Sequence, residues 1–303
     1  MTTSYALITP SYRRDFERCT LLVESVHRWV APHVQHYLVI ARRDVALFKP
    51  LLGARVELIV VEDIIPRWLF LAPGVRRFWL SARTLPVRNW ILQQLVKLSV
   101  PEAVQQDVLL YADSDMFFVE PYDPRSYERE GKVPLFVETG QRGLIPKNDE
   151  WHGVSARLLG VPRLNSYDTN YVNQLICWRR TTVQQALRRV EEVRKREWAQ
   201  TIAALRAFSE YTFYGVYVDA VAGAESCGHW HDGEIRTLNY WRPQPLNLAG
   251  LEAFKAARRP HHHSVMVSAK SNTSTADIRS VFLDSICPGE PRGRAFRSFH
   301  EIR

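Results

Sequence analysis

Asp107-Val108-Leu109-Leu110-Tyr111-Ala112-Asp113-Ser114-Asp115-Met116-Phe117-Phe118 is the stretch on which the reading of this chain turns. Residues 107–112 are an apolar run that predicts a buried strand. The run ends directly in two aspartates one residue apart, the only Asp-x-Asp in the sequence. In open α/β sheets, ligands gather beyond the carboxyl ends of strands. Mg²⁺ and Mn²⁺ take oxygen ligands and commonly bridge carboxylates to substrate phosphates. Two carboxylates at this spacing can divide that task, one on the metal and the other on the metal or a ribose. The plain alternative is a turn whose aspartates cap the next segment.

Upstream, residues 4–10 read as a strand stopped by Pro10, 15–30 as a helix and 36–41 as a second strand. A short helix over 44–52 and a strand over 56–61 follow. This β-α-β-α-β opening predicts a mostly parallel sheet flanked by helices. Residues 62–86 hold Pro66, Pro73, Gly74 and Pro86 and read as irregular, whereas 87–99 is an amphipathic helix. Downstream, 133–138 reads as a strand and the chain as loop-rich to Tyr171, with an apolar strand-like run around Cys177. Residues 182–208 read as a charged, solvent-facing helix or helix pair, 209–222 as a helix capped by Ser209, and 228–245 as a loop. A helix over 248–257, a strand over 264–269 and a helix over 275–286 complete the pattern, with a tail that frays. The expected organisation is a nucleotide-binding half over 1–140 and a second half over 141–303, joined as one continuous domain.

The 303 residues are 46% apolar, enough for a sizeable core. Net charge is +8, from 40 Lys and Arg against 32 Asp and Glu. Such a surface attracts polyanions, including anionic lipid and phosphorylated small molecules. No nucleic-acid motif appears, so no nucleic acid partner is expected. Cys19, Cys177, Cys227 and Cys287 form no Cys-x-x-Cys pair and read as reduced thiols. No run approaches the ~18–20 apolar residues of a membrane helix, and no signal peptide is visible. The expectation is a cytoplasmic protein, its arginine excess compatible with peripheral contact at the inner membrane face.

Thr-Pro-Ser-Tyr after the first strand, Gln-Gln-Leu-Val-Lys-Leu in the helix and Tyr-Ala-Asp-Ser-Asp-Met together resemble the GT-A glycosyltransferases. The glycogenin-like and bacterial capsule or lipopolysaccharide branches are nearest in style, and the resemblance covers about residues 5–138. It implies a Rossmann-like nucleotide-sugar domain with a smaller helical acceptor-binding part. The donor would be a nucleotide-sugar, UDP-linked above all, and the acceptor a saccharide or other hydroxyl compound. It implies Mn²⁺ or Mg²⁺ on Asp113 and Asp115, with Ser114 beside the donor. Thr9, Pro10 and Tyr12 would hold base and ribose, and Arg88, Gln94 and Lys97 the donor phosphates or sugar. His263, from His261-His262-His263, would be a third metal ligand and Lys270 a diphosphate contact, although the family spacing His-x-x-Gly-x-x-Lys is absent.

Inverting transfer also needs a base for the acceptor proton. Glu210, in the aromatic run Ser209–Gly215, suits that task, or the N-terminal dipole of its helix; Asp168 is the alternative carboxylate. His229-Trp230-His231-Asp232 lacks the remaining ligands of a closed zinc set and reads as a loop. Two other classes compete. A haloacid-dehalogenase-type phosphatase also uses Asp-x-Asp after a strand, but after the first strand and with Thr or Val where Phe117 stands. A non-enzymatic module for anionic glycan or nucleic acid would use the basic, tryptophan-rich surface without metal.

Overall fold

A computed structural model describes residues 2–72 and 78–284. The chain opens with β1 (Tyr5–Ser11), α1 (Phe16–Trp29), β2 (Gln35–Ile40), the one-turn α2 (Val45–Phe48), β3 (Val56–Val60) and the one-turn α3 (Val61–Ile64). A small antiparallel meander follows, β4 (Leu69–Phe70), β5 (Phe78–Ser81) and β6 (Val87–Arg88), and leads into α4 (Asn89–Ser99). Next come β7 (Val108–Tyr111), β8 (Met116–Phe118), β9 (Val133–Phe136), α5 (Asn148–Leu159) and β10 (Ile176–Arg179). Helices α6 (Arg180–Arg194), α7 (Trp198–Ala203) and α8 (Glu210–Tyr217) precede β11 (His229–Asp232) and β12 (Thr237–Tyr240). The described chain closes with α9 (Leu248–Ala256), β13 (Ser264–Val267) and α10 (Thr275–Arg279).

The central sheet has the order β10-β7-β1-β2-β3. Its strands β1, β2, β3 and β7 are parallel, and only β10 runs antiparallel, against β7. The period-2 pleat sorts side chains to two faces. Ile8, Leu109, Tyr111 and Trp178 join one cluster with α4, α6 and α8, while Leu7, Val108, Leu110 and Cys177 join another with Leu22 and Val26 of α1. A second sheet, β12-β13-β8, lies beyond the end of β7. The turn at residues 113–115 therefore links the two sheets.

Several expected elements are corrected. Pro10 lies inside β1, because pairing with β7 ends at the Ala112 N–H bond to Ile8 O and no partner needs the missing Pro10 N–H. Residues 69–70, 78–81 and 87–88 form strands, so the helix begins at Asn89. The stretch read as loop before Tyr171 contains α5, closed by Gly160 in the left-handed region (φ 70°). Residues 182–208 resolve into α6 and α7, and α6 is not solvent-facing throughout, for it buries Val183, Ala186, Leu187 and Val190. Residues 228–245 hold β11 and β12 in place of a loop. Ser209 does cap α8, accepting the Thr212 N–H at 3.3 Å. The final helix is described as far as Asp284; Cys287 and the tail lie outside the described residues. Cys19, Cys177 and Cys227 are buried free thiols. Among the described residues, no helix is long and apolar enough to cross a membrane.

Helix α8 lies so close to residue 171 that a Cβ at Gly215 would fall inside the Tyr171 ring. That ring is also anchored by its hydroxyl, which donates to Asp219 Oδ2 at 2.6 Å. Gly215→Ala is therefore expected to destabilise the fold by about 1–3 kcal/mol through overpacking. A lowered denaturant midpoint with an unchanged slope would bear this out, and an unchanged midpoint would refute it.

Candidate active site at the carboxyl edge

Asp113 follows the last residues of β7, and the turn it starts is closed by the Met116 N–H donating to Asp113 O at 3.2 Å. Beneath it stands Lys97, near the end of α4. A helical side chain leans toward the helix N-terminus, here toward the strand's carboxyl edge. The Lys97 ammonium, 3% exposed, lies 3.1 Å from Asp113 Oδ1 and 3.1 Å from Glu210 Oε1. It also donates to the Tyr211 hydroxyl at 2.7 Å. Burial alone would depress this amine; the carboxylates of Asp113 and Glu210, with Tyr211, outweigh it and hold Lys97 well above the ordinary lysine range. The approach to Asp113 lacks hydrogen-bond alignment, so the pair is coulombic and that buried oxygen keeps its acceptor capacity.

Asp115 is anchored from the other sheet. Its Oδ2 accepts the Ala269 N–H at 2.9 Å, and its backbone oxygen accepts the Val267 N–H at 3.1 Å. Burial, then the charge of Asp113, pushes the Asp115 carboxyl up to about 6, against the pull of the Ala269 amide and Arg18. Arg18 is itself pinned, donating to the carbonyls of Val267 and Thr273 at 2.9 Å each. Asp15 is a third acid at this edge. Burial raises its carboxyl, while Arg18 and a hydrogen bond with Ser114 lower it. The residue occupies the N-cap position of α1, and its side chain makes no cap bond there. Asp15 and Arg18 are the site residues that side-chain pattern missed. The available signal was position, since both follow the carboxyl end of β1 directly.

The other candidate residues fall into two groups. Tyr12, 46% exposed at the end of β1, and Lys270, exposed beside the Ala269 amide, lie at the same edge as the acids. Ser114 is buried against Asp15. Thr9 is turned inward, its hydroxyl 2.9 Å from His36 Nε2, and Pro10 is buried in the strand, so neither side chain faces a ligand. Gln94 is buried and its Oε1 accepts the Glu210 N–H at 3.0 Å, which makes it a clamp on α8. Arg88 is exposed opposite Phe78 in the meander, with no contact to the aspartates among the described residues. Asp168 accepts the Gly140 N–H at 3.0 Å and ties down a loop.

His263 is corrected as a metal ligand. It precedes β13, whose opposite end, at Val267, meets Asp115. Both of its ring nitrogens are engaged, Nδ1 with Pro121 O at 2.8 Å and Nε2 with the Tyr127 hydroxyl at 2.7 Å. His229 is buried against Tyr214, and His231 pairs with Asp219 at 2.8 Å.

A profile of the family of unknown function DUF6492 matches residues 4–258. The chain belongs to this family. The matched span takes in Asp15, Arg18, Lys97, Asp113, Asp115 and Glu210, and stops before Ala269 and Lys270. No curated protein matches the chain.

Among the described residues, no three His, Cys, Asp or Glu side chains are grouped so as to hold a metal ion. A cation that keeps several waters and shares substrate phosphates needs only one or two carboxylates. Asp113 and Asp115 fit that lesser demand, with an unsatisfied oxygen on Asp113 and a carboxyl on Asp115 raised by burial and then by the charge of Asp113.

The raised Asp115 carboxyl has a stability consequence. Between the unfolded value near 4 and the folded value of about 6, the folded state binds more protons. Its contribution is present below pH ~4 and is lost as pH rises through about 6. Asp115→Asn removes that loss and is expected to gain roughly 2–3 kcal/mol on the wild type between about pH 4 and about pH 8. Urea midpoints of both proteins at the two pH values measure the difference; a constant gap would contradict the burial of Asp115.

Proposed function

We propose that this chain is a glycosyltransferase of the GT-A type, moving a sugar from a nucleotide-diphosphate donor to a hydroxyl acceptor. One observation carries the reading. In the order β10-β7-β1-β2-β3, the chain departs from β1 first toward β2 and β3 and later toward β7. The gap between β1 and β7 is thus the topological switch point, where open α/β sheets bind ligands. Asp15, Asp113 and Asp115 flank that gap on the carboxyl side.

Asp113 and Asp115 would hold Mn²⁺ or Mg²⁺ against the donor diphosphate, Asp115 aimed by the Ala269 amide. Such a cation supplies Lewis-acid stabilisation of the charge gathering on the leaving diphosphate. Lys97 stands 3.1 Å from Asp113 Oδ1 and positions that carboxylate by charge. Lys270 stands at the same edge to meet phosphate, and Tyr12 offers an exposed ring to the nucleoside. Glu210 is committed to Lys97 and buried, so it serves as a positioning residue and not as the acceptor's base. The acceptor is a hydroxyl compound, and the donor class includes UDP-sugars.

The test is a melting screen of nucleotide-sugars with Mn²⁺ and with chelator. A donor at about 100 times its Kd should add about 2.7 kcal/mol of stability. The expected result is stabilisation by one nucleotide class, dependent on metal and abolished in Asp115→Ala. No response to any nucleotide would overturn the reading, as would full donor binding in chelator.

A further inference from the structure

The three-stranded meander β4-β5-β6 has two unlike faces. Leu69, Trp79 and Val87 point inward, each 3% exposed or less. The alternate positions point outward. There Phe70 pairs across the strands with Leu80, and Phe78 pairs with Arg88. Phe70 is 46% exposed and Phe78 37%. Nearby in the chain, Leu85 is 80% exposed and Trp90, in the first turn of α4, 42%. An outward group of large apolar side chains is unusual for a free surface and marks a contact with something apolar.

Charge chooses the occupant. Arg67 and Arg88 are exposed, and no acid pairs with either among the described residues. Acids that precede the meander in sequence or touch it are already committed: Asp63 pairs with Arg42, Glu62 accepts the Arg42 N–H, and Glu197 holds Arg83 and the Trp68 indole. The whole chain is at +8. Aromatic side chains interleaved with arginine suit the boundary of a bilayer carrying negative headgroups. A second copy presenting the same face would set like charges together.

We propose that the outer face of this meander docks the protein on membranes containing anionic phospholipid. The contact is superficial, with aromatic rings at the headgroup level and arginines on the phosphates. It stands on the patch alone and is independent of the transferase reading. It also orients the molecule, because α4 begins in the patch and carries Lys97 toward Asp113.

The test is co-sedimentation of the full chain with phosphatidylcholine vesicles, with and without phosphatidylglycerol. The chain should pellet with the anionic vesicles, remain in solution with the neutral ones, and be released by salt. Arg67→Gln and Arg88→Gln should each weaken binding about fivefold. Phe70→Ser/Phe78→Ser should abolish pelleting with an unchanged melting temperature. The two arginine variants, at exposed positions, keep the test valid if that double variant misfolds. Failure to pellet with anionic vesicles would overturn the proposal, as would equal pelleting of all variants. A dimer in light scattering that Phe70→Ser/Phe78→Ser converts to monomer would assign the face to a second copy instead.

Discussion

The buried ammonium of Lys97 joins three elements that lie far apart in sequence: α4, the end of β7 and the start of α8. Taking the Lys97 ammonium and the Glu210 carboxylate out of water is costly, and removing one partner would leave a buried charge unpaired. Gln94 completes the arrangement, since its amide oxygen holds the Glu210 N–H one helical turn before Lys97. Tyr111 locks the same helix from the strand side, donating to Lys97 O at 2.8 Å. The cluster thus fixes Asp113 relative to both the sheet and α8.

Asp115 is governed by a different constraint. Its support comes from β13 and the Ala269 amide, in the second sheet. The two aspartates are therefore neighbours in sequence but are held by separate bodies of structure. Asp113 raises the carboxyls of both Asp15 and Asp115, and Arg18 pulls both down. An edge with three carboxylates, beside exposed Lys270 and Tyr12, is suited to a cation and an anionic ligand arriving together.

How much of this was legible follows from where the signals reside. The apolar run of β7 and the two aspartates are local, and both were readable. The resemblance makes Lys97 a contact for the donor phosphates or sugar, whereas its buried ammonium is committed to Asp113, Glu210 and Tyr211. Gln94's own role was hidden, because its partner, Glu210, lies 116 residues away. Three histidines drew attention to residues 261–263, whereas the contact that matters there comes from the backbone of Ala269, which side-chain chemistry does not reveal. Helix α5 escaped because its buried face includes Asn148, His152 and Ser155, which blur the apolar period. The strands of the meander are two to four residues long, too short for alternation to register.

The proposed function requires a divalent cation and a nucleoside diphosphate to occupy the carboxyl edge together, through Asp113 and Asp115. Electron paramagnetic resonance of Mn²⁺ titrated with the protein tests it most directly. UDP is expected to increase the protein-bound Mn²⁺ signal sharply, and Asp115→Asn to remove this increase. UDP bound equally well with and without Mn²⁺, or a Mn²⁺ signal indifferent to Asp115→Asn, would contradict it.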